Sequence, residues 1–470
     1  MTDAPHLRIV DWAAFERPVT FRFPFRFGAA EVTAAPQAFV RVTIEDAQGR
    51  RADGWAAEMM MPRWFDKSAD LSVAQNIDQL RRALRLGLET LTGAGRDTAF
   101  GLHARAQPVH HAACAAQGLN GLIASFGLAL PDRAVLDALC RLLGQPAIAV
   151  LRANLAGVDA RITPDLAGFD LGAFLARLPA PDRIEARHTV GLGDVLDAGD
   201  IATPLDDGLP QSLDQVIAAY GHRYFKLKLS GDPQADLARL ARIVAVLDMH
   251  APGYRATLDG NEQYSGVAPL AELLDGISAH PALASLNDGL LFVEQPIARA
   301  IALEADISVL AARVALEIDE SDADIGSFLH AQRLGYTGVS SKSCKGFYRA
   351  LLNAARVAQG QGLFLSAEDL TVQPGLALQQ DLVLAAVTGN THVERNGHHF
   401  AGGMGQACAA EQAAYATAHP DLYENKQGQT RLRIKDGKIA LASTFAATGL
   451  GCGLTPEPET LLPLQENAEP

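Results

Sequence analysis

The sequence predicts an α/β protein in which a barrel of alternating strands and helices follows a smaller α+β domain. Three observations carry this. From about residue 186, short apolar runs alternate with helix-like stretches, about eight strands over about 220 residues, and strand–helix repetition implies a parallel sheet. Before that point, strand-like segments give way to helical periodicity. Charged residues then recur where the apolar runs end, and the ends of several different strands are where a (β/α)₈ barrel keeps its active site. A two-sided open sheet is the rival arrangement.

Bulk properties narrow the class. At 470 residues the chain exceeds one typical core, so two domains or more are expected. A hydrophobic share of 48% with 20% charged residues describes a soluble globular protein. A net charge of −14 argues against nucleic acid as a partner, because phosphate binding needs a basic footprint. The five cysteines (Cys114, Cys140, Cys344, Cys408, Cys452) are odd in number and widely spaced, with no zinc or redox pattern. They read as free thiols in a reducing cytoplasm, where the protein is expected. The N-terminus lacks a basic segment followed by an apolar core, and no apolar run reaches membrane-spanning length. Neither a signal peptide nor a membrane partner is expected, and a homo-oligomer is.

In chain order, residues 1–150 form the α+β domain. Phe21 to Phe27 alternates aromatic and basic residues around Pro24. Phe39–Asp46 reads as a strand that turns at Gln48-Gly49, with Trp55–Met61 as its partner. Ile77, Leu80, Leu84, Leu88 and Leu91 have helical spacing, and further helices are expected near 112–127 and 132–144, the latter stopping at Gly144-Gln145-Pro146. Pro164, Gly168, Pro179 and Pro181 interrupt residues 151–185, which read as a linker or insertion with a short helix. Residues 186–405 carry the barrel rhythm, with 278–289 as a further insertion. Residues 406–470 open on an Ala-rich helix, followed by a hairpin of Thr430–Ile434 and Lys438–Leu441 around Asp436-Gly437 and by a poorly ordered acidic tail from Pro456.

The chemistry is organised around Tyr224-Phe225-Lys226-Leu227-Lys228-Leu229. In a strand Lys226 and Lys228 point to the same face, and two like charges on a buried face need carboxylates to answer them. Acids follow at strand ends: Asp259 in Thr-Leu-Asp-Gly-Asn, Glu294 in Phe-Val-Glu-Gln-Pro and Asp319 in Ile-Asp-Glu-Ser. Lys342 follows in Ser-Ser-Lys-Ser-Cys-Lys-Gly. The steps 228 to 259, 259 to 294, 294 to 319 and 319 to 342 are 31, 35, 25 and 23 residues, the size of βα units. Three carboxylates from adjacent strand ends suit a hard divalent cation, Mg²⁺ with Mn²⁺ as a substitute, and the absence of accompanying histidine or cysteine disfavours zinc. Lys228 and Lys342 would face each other across the cation. A lysine becomes a general base when nearby positive charge and desolvation lower its pKa, and Lys226 and the cation are such charges. By strand parity Lys342 is the choice over Lys345. Glu317, of the same parity as Asp319, is the alternative ligand.

As a set these motifs resemble the enolase superfamily: Lys-x-Lys, Asp259 with Asn261 two residues on, Glu294-Gln295-Pro296, Asp319-Glu320-Ser321, then Lys342 with Lys345-Gly346 after it. The nearest pattern is the muconate-lactonizing-enzyme branch. The mandelate-racemase branch carries a histidine–aspartate dyad where Leu363–Leu370 here has Glu368-Asp369 and no histidine. The motifs cover about residues 224–346. The chain is longer than a typical member and has Gly260 where the family often has alanine.

The resemblance implies a modified TIM (β/α)-barrel under an N-terminal α+β capping domain that the C-terminal segment completes. It implies Mg²⁺, with Asp259, Glu294 and Asp319 as ligands, Lys228 and Lys342 as acid/base residues and Lys226 as an electrostatic helper. The reaction implied is α-proton abstraction from a small carboxylate through a metal-stabilised enediolate. Opposed lysines favour a racemase or epimerase; a dehydratase or other β-elimination lyase, or a cycloisomerase, on an acid sugar or related carboxylate is the alternative. A non-catalytic ligand-binding relative and a metal-free Schiff-base barrel are the more distant rivals. Specificity loops are expected near Phe21–Phe27 and Met59–Phe65, with Arg22, Arg26 and Arg63 as candidates for a second anionic group on the substrate. Asn261, Glu368 and Glu394 are candidate pocket residues, with His392, His398 and His399 nearby.

Overall fold

The computed structural model describes residues 4–27 and 30–465. Strands β1 (Leu7–Phe27), β2 (Ala30–Asp46) and β3 (Arg51–Met59) form an antiparallel meander. Helices α1 (Val73–Gly93) and α3 (Gly121–Leu143) cover it, and α2 (Ala99–Ala116) packs on those two. α1 starts at a capping box, the Ser72 side chain accepting from Gln75 N while the Gln75 side chain accepts from Ser72 N. The helices expected near 112–127 and 132–144 have other boundaries. The break falls at Gly118–Asn120, where Asn120 caps α3, and Pro131 lies inside that helix. Proline at this position frees the Gly127 carbonyl, which packs against Gly87 of α1 so closely that a Cβ there would lie 1.9 Å from that oxygen. A helix crossing thus absorbs a residue that reads as a break.

Eight parallel strands make the barrel: β4 (Arg183–Val190), β5 (Tyr224–Lys228), β6 (Arg255–Asp259), β7 (Leu290–Glu294), β8 (Leu316–Ile318), β9 (Gly338–Ser341), β10 (Phe364–Ala367) and β11 (His392–Arg395). They run in chain order from β4 to β10, with β11 beside β4, and β10 and β11 pack together where the ladder stops. The outward faces of β5 to β9, with the outer helices, bury one apolar layer containing Leu227, Leu258, Val293, Ile318 and Val339.

The segment 151–185 is packed, not a free linker: Leu166, Leu171, Leu175 and Leu178 join the core of the N-terminal domain, and residues 284–289 of the other insertion are helical. The C-terminal hairpin pairs β12 (Tyr423–Lys426) with β13 (Gln429–Leu432), while β14 (Lys438–Ala440) pairs antiparallel with β4. Asp436-Gly437 does turn the chain, but toward the barrel edge, where β4 supplies the apolar contact that a lone hairpin lacks. In the expected tail, the described residues 456–465 are anchored: β15 (Leu462–Pro463) pairs with β1. With Leu450 N donating to Asp137 Oδ1 of α3 at 2.7 Å, the C-terminal segment completes the N-terminal domain.

Candidate active site

The ladder brings the motif residues to one end of the barrel. Lys228 of β5 pairs with Asp259 of β6, which pairs with Glu294 of β7, which pairs with Glu317 of β8. Asp319 lies just past the end of β8 and Lys342 just past β9. The side chains at these positions are buried.

Lys226 Nζ sits among four carboxylates: Glu294 Oε2 at 2.6 Å, Glu368 Oε2 at 2.7 Å, Asp259 Oδ2 at 3.0 Å and Glu394 Oε2 at 3.1 Å. Burial alone would depress its pKa, but the acids outweigh burial and hold it well above the usual lysine value. Lys228 Nζ donates to Asp259 Oδ2 at 2.5 Å and to the Asn261 side-chain oxygen. Lys342 Nζ donates to Asp319 Oδ2 at 2.6 Å and lies 4.4 Å from the Trp64 ring centroid. Burial opposes its charge too, and Asp319 reverses that effect, so its pKa is raised. At Lys342 the depression expected of a base is absent, because Asp319 partners it.

Glu294 is different. Its Oε1 has no partner, and Oε2 meets Lys226 without hydrogen-bond geometry. Burial first, then the charges of Asp259 and Glu368, push its pKa well above the usual glutamate value. Asp319 accepts from Lys342, Lys345 and Ser340 Oγ; burial would raise its pKa, but the two lysines hold it well below the usual value. An orphaned, electron-rich carboxylate oxygen between two ion-paired aspartates is a donor set that fits a hard divalent cation. Glu317, two residues before Asp319, has other contacts: Ser366 Oγ donates to it at 2.9 Å, burial and Glu368 raise its pKa, and its second oxygen is unpartnered. Glu294, Glu317 and Glu368 also offer oxygens within 4.8 Å of one another, but Arg187 donates to Glu368 and already supplies positive charge to that level of the barrel.

The pocket candidates divide. Asn261 bonds Lys228, and Glu368 and Glu394 bond Lys226. Glu394 also accepts from Thr189 Oγ1 and the Asp369 N–H, and Lys226, Lys228 and Lys342 overcome its burial to lower its pKa far below the usual value. Arg22 is committed elsewhere, to Asp207 at 2.6 Å and the His399 carbonyl at 2.9 Å. Arg63 donates to the Ser68 carbonyl. The side chain of Arg26 lies outside the described residues. His392, at the start of β11, meets Arg187 at 2.6 Å, below the site.

Several residues near the site escaped the sequence reading. Lys345 reaches Asp319 Oδ1 at 3.3 Å and Asp322 at 3.1 Å. Strand parity excluded it, but a 3₁₀ turn over Ser343–Lys345 ends that parity. Lys67 pairs with Glu262 at 2.5 Å and donates to the Asn261 carbonyl at 2.9 Å, two residues beyond the expected Met59–Phe65 loop. Arg187 was legible as an arginine inside an apolar run. The expected capping loops do cover the lysines: Phe25 and Trp64 border, with Lys226, Lys228 and Lys342, a cavity of about 10 Å³, room for about one water. Beside it a cleft of about 150 Å³, bordered by Phe23, Thr189, Gln211 and His399, also reaches Phe25 and Lys228.

A family model described as enolase C-terminal domain-like matches residues 209–460. Solved structures with this fold include a muconate lactonizing enzyme from Pseudomonas fluorescens complexed with muconolactone, 18% identical, covering 96% of this chain and 98% of that one with a TM-score of 0.58. A putative mandelate racemase/muconate lactonizing enzyme from Roseovarius nubinhibens ISM is 17% identical, with coverages of 97% and 99% and a TM-score of 0.60. An enolase from Bradyrhizobium complexed with magnesium and mandelic acid is 17% identical, with 95% of each chain covered and a TM-score of 0.56. No curated protein matches the chain.

Proposed function

We propose a function from one premise: the chain belongs to the family of enolase C-terminal domain-like proteins. Membership in the superfamily carries a general chemistry, Mg²⁺-dependent abstraction of a proton. For this chain the reading is removal of the α-proton from a small carboxylate substrate, as a racemase or epimerase. One observation supports it above the others. Lys228 and Lys342 border a single cavity from β5 and β9, four strands apart in a barrel of eight, and therefore from opposite sides.

Asp259, Glu294 and Asp319 would hold the divalent cation. When bound, it polarises the substrate carboxylate and stabilises the charge that develops as the α-proton leaves. Lys228 takes a proton from the α-carbon at Nζ, and Lys342 returns one at Nζ to the other face. Asp259 and Asp319 would be shared between the cation and the lysines they now accept from, which would free Lys228 and Lys342 to exchange protons with the substrate. Lys226 balances the excess of acids. Phe25 and Trp64 narrow the space beside the lysines to about one water, and the adjoining cleft supplies the room that the small cavity lacks.

The test is a screen in D₂O with Mg²⁺ against acid sugars, N-acyl amino acids, dipeptides and lactones, read by ¹H NMR. Deuterium uptake at the α-carbon with inversion, lost in chelator, is the expected result. Loss of water would instead place the same lysines in a dehydratase. Full activity in chelator, with borohydride trapping of a carbonyl substrate, would replace the reading with a Schiff-base mechanism.

A further inference from the structure

We infer that His188, His222 and His398 form a second metal site, a three-histidine centre for a transition-type divalent cation such as Zn²⁺, on the outer side of the barrel wall. His188 lies on β4 between Arg187 and Thr189, which point inward to Glu368 and Glu394. By strand alternation His188 faces the other way. There it meets His222, from the turn before β5, and His398, from the turn after β11, with ring centroids 5.3 and 6.0 Å away. Each histidine offers one ring nitrogen, and these three nitrogens lie within 4.8 Å of one another.

The nitrogens themselves point to a ligand. The residues are 2%, 0% and 5% exposed, yet His188 Nδ1, His222 Nε2 and both nitrogens of His398 have no partner. Buried imidazole nitrogens are ordinarily hydrogen-bonded, and four orphans in one cluster are costly. The His222 Nδ1–H donates to the Ala186 carbonyl at 3.0 Å, since a carbonyl only accepts. That fixes the tautomer with the Nε2 lone pair turned into the cluster, the arrangement in which a backbone carbonyl orients a metal-ligating histidine. Neutral imidazole is the form that binds metal. Neutral nitrogen donors select Zn²⁺-like ions over Mg²⁺, which takes oxygen, and three ligands are the number a tetrahedral ion with one further ligand would use. The ion would tie together β4, the approach to β5 and the segment after β11, and so brace the wall that carries Lys226 and Lys228. It takes no part in moving the proton.

The full chain, stripped of metal and then saturated with Mg²⁺, is titrated with Co²⁺. The expected result is one equivalent bound, a tetrahedral visible spectrum displaced by Zn²⁺, and a cobalt X-ray absorption signature of three imidazoles. His222→Gln and His398→Gln each weaken this binding by more than the ~10–100-fold that loss of an outer-shell partner costs. Glu294→Gln leaves it intact, which separates this site from the proposed Mg²⁺ site. No cobalt uptake over Mg²⁺, or a mainly oxygen shell, overturns the inference on the wild-type chain alone, whatever the folding of the variants. Cobalt binding that survives both histidine substitutions, or that Glu294→Gln abolishes, overturns it as well.

Discussion

Lys228 Nζ and Asp259 Oδ2 lie 2.5 Å apart, and the two residues are direct ladder partners on β5 and β6. A proposed proton carrier and a proposed cation ligand therefore share one contact. Whatever loads Asp259 changes Lys228, so cation binding and proton transfer are linked through a single carboxylate.

Cation binding is accordingly expected to show in stability. Mg²⁺ at about 100 times its Kd adds about 2.7 kcal/mol to the folded state and raises Tm in thermal denaturation. Glu294→Gln, which removes the ligand with the unpartnered oxygen, abolishes that Mg²⁺-dependent shift. An unchanged shift in the variant would assign the cation to other residues.

Lys226→Met leaves Glu294, Glu368, Asp259 and Glu394 without their shared counter-charge. Breaking a buried ion pair by removing one partner costs about 3–5 kcal/mol, and urea denaturation in chelator is expected to find a loss of that order. A loss below about 1 kcal/mol would mean that the carboxylates take up protons instead.

Gly260 is fixed by packing. A Cβ there would lie 2.4 Å from Pro296 Cα, in the backbone of the Glu-Gln-Pro turn. Gly260→Ala is expected to push the Asp259 and Glu294 strand ends apart, costing about 1–3 kcal/mol and weakening Mg²⁺ binding. Isothermal titration that finds wild-type Mg²⁺ affinity would contradict this.

The packed segment 151–185 is pinned to the barrel by Asp165, which accepts from Arg356 Nε at 2.8 Å and Nη2 at 3.0 Å. The guanidinium's hydrogen bonds hold the Asp165 pKa below its ordinary 3.8. A depressed carboxylate pKa stabilises the fold above the unfolded value and loses that contribution as pH falls through the folded value. Asp165→Asn should therefore cost about 1 kcal/mol at neutral pH, and the gap from wild type should narrow as pH drops below 3.8. A gap independent of pH would contradict the sign.

Much of this was legible in the sequence because its signals were local. Period-two alternation put Lys226 and Lys228 on one face, and strand-end acids at βα spacing marked successive barrel units. What was not legible depended on contacts between distant segments. Residues 112–127 and 132–144 read as two helices until Gly87 is seen to receive the Gly127 carbonyl inside one. Lys438–Leu441 reads as half of a hairpin until β4 offers an edge. Lys345 fails a parity rule that stops applying where β9 becomes a 3₁₀ turn. The histidine cluster draws on positions 188, 222 and 398, which no local pattern joins.

The most direct test of the two-lysine account uses a substrate found in the exchange screen, supplied as separate stereoisomers in D₂O. The account predicts that Lys228→Ala slows α-proton exchange from one isomer by about 10²–10⁴-fold and that Lys342→Ala does so for the other. Exchange by Lys228→Ala at the wild-type rate from both isomers would contradict it.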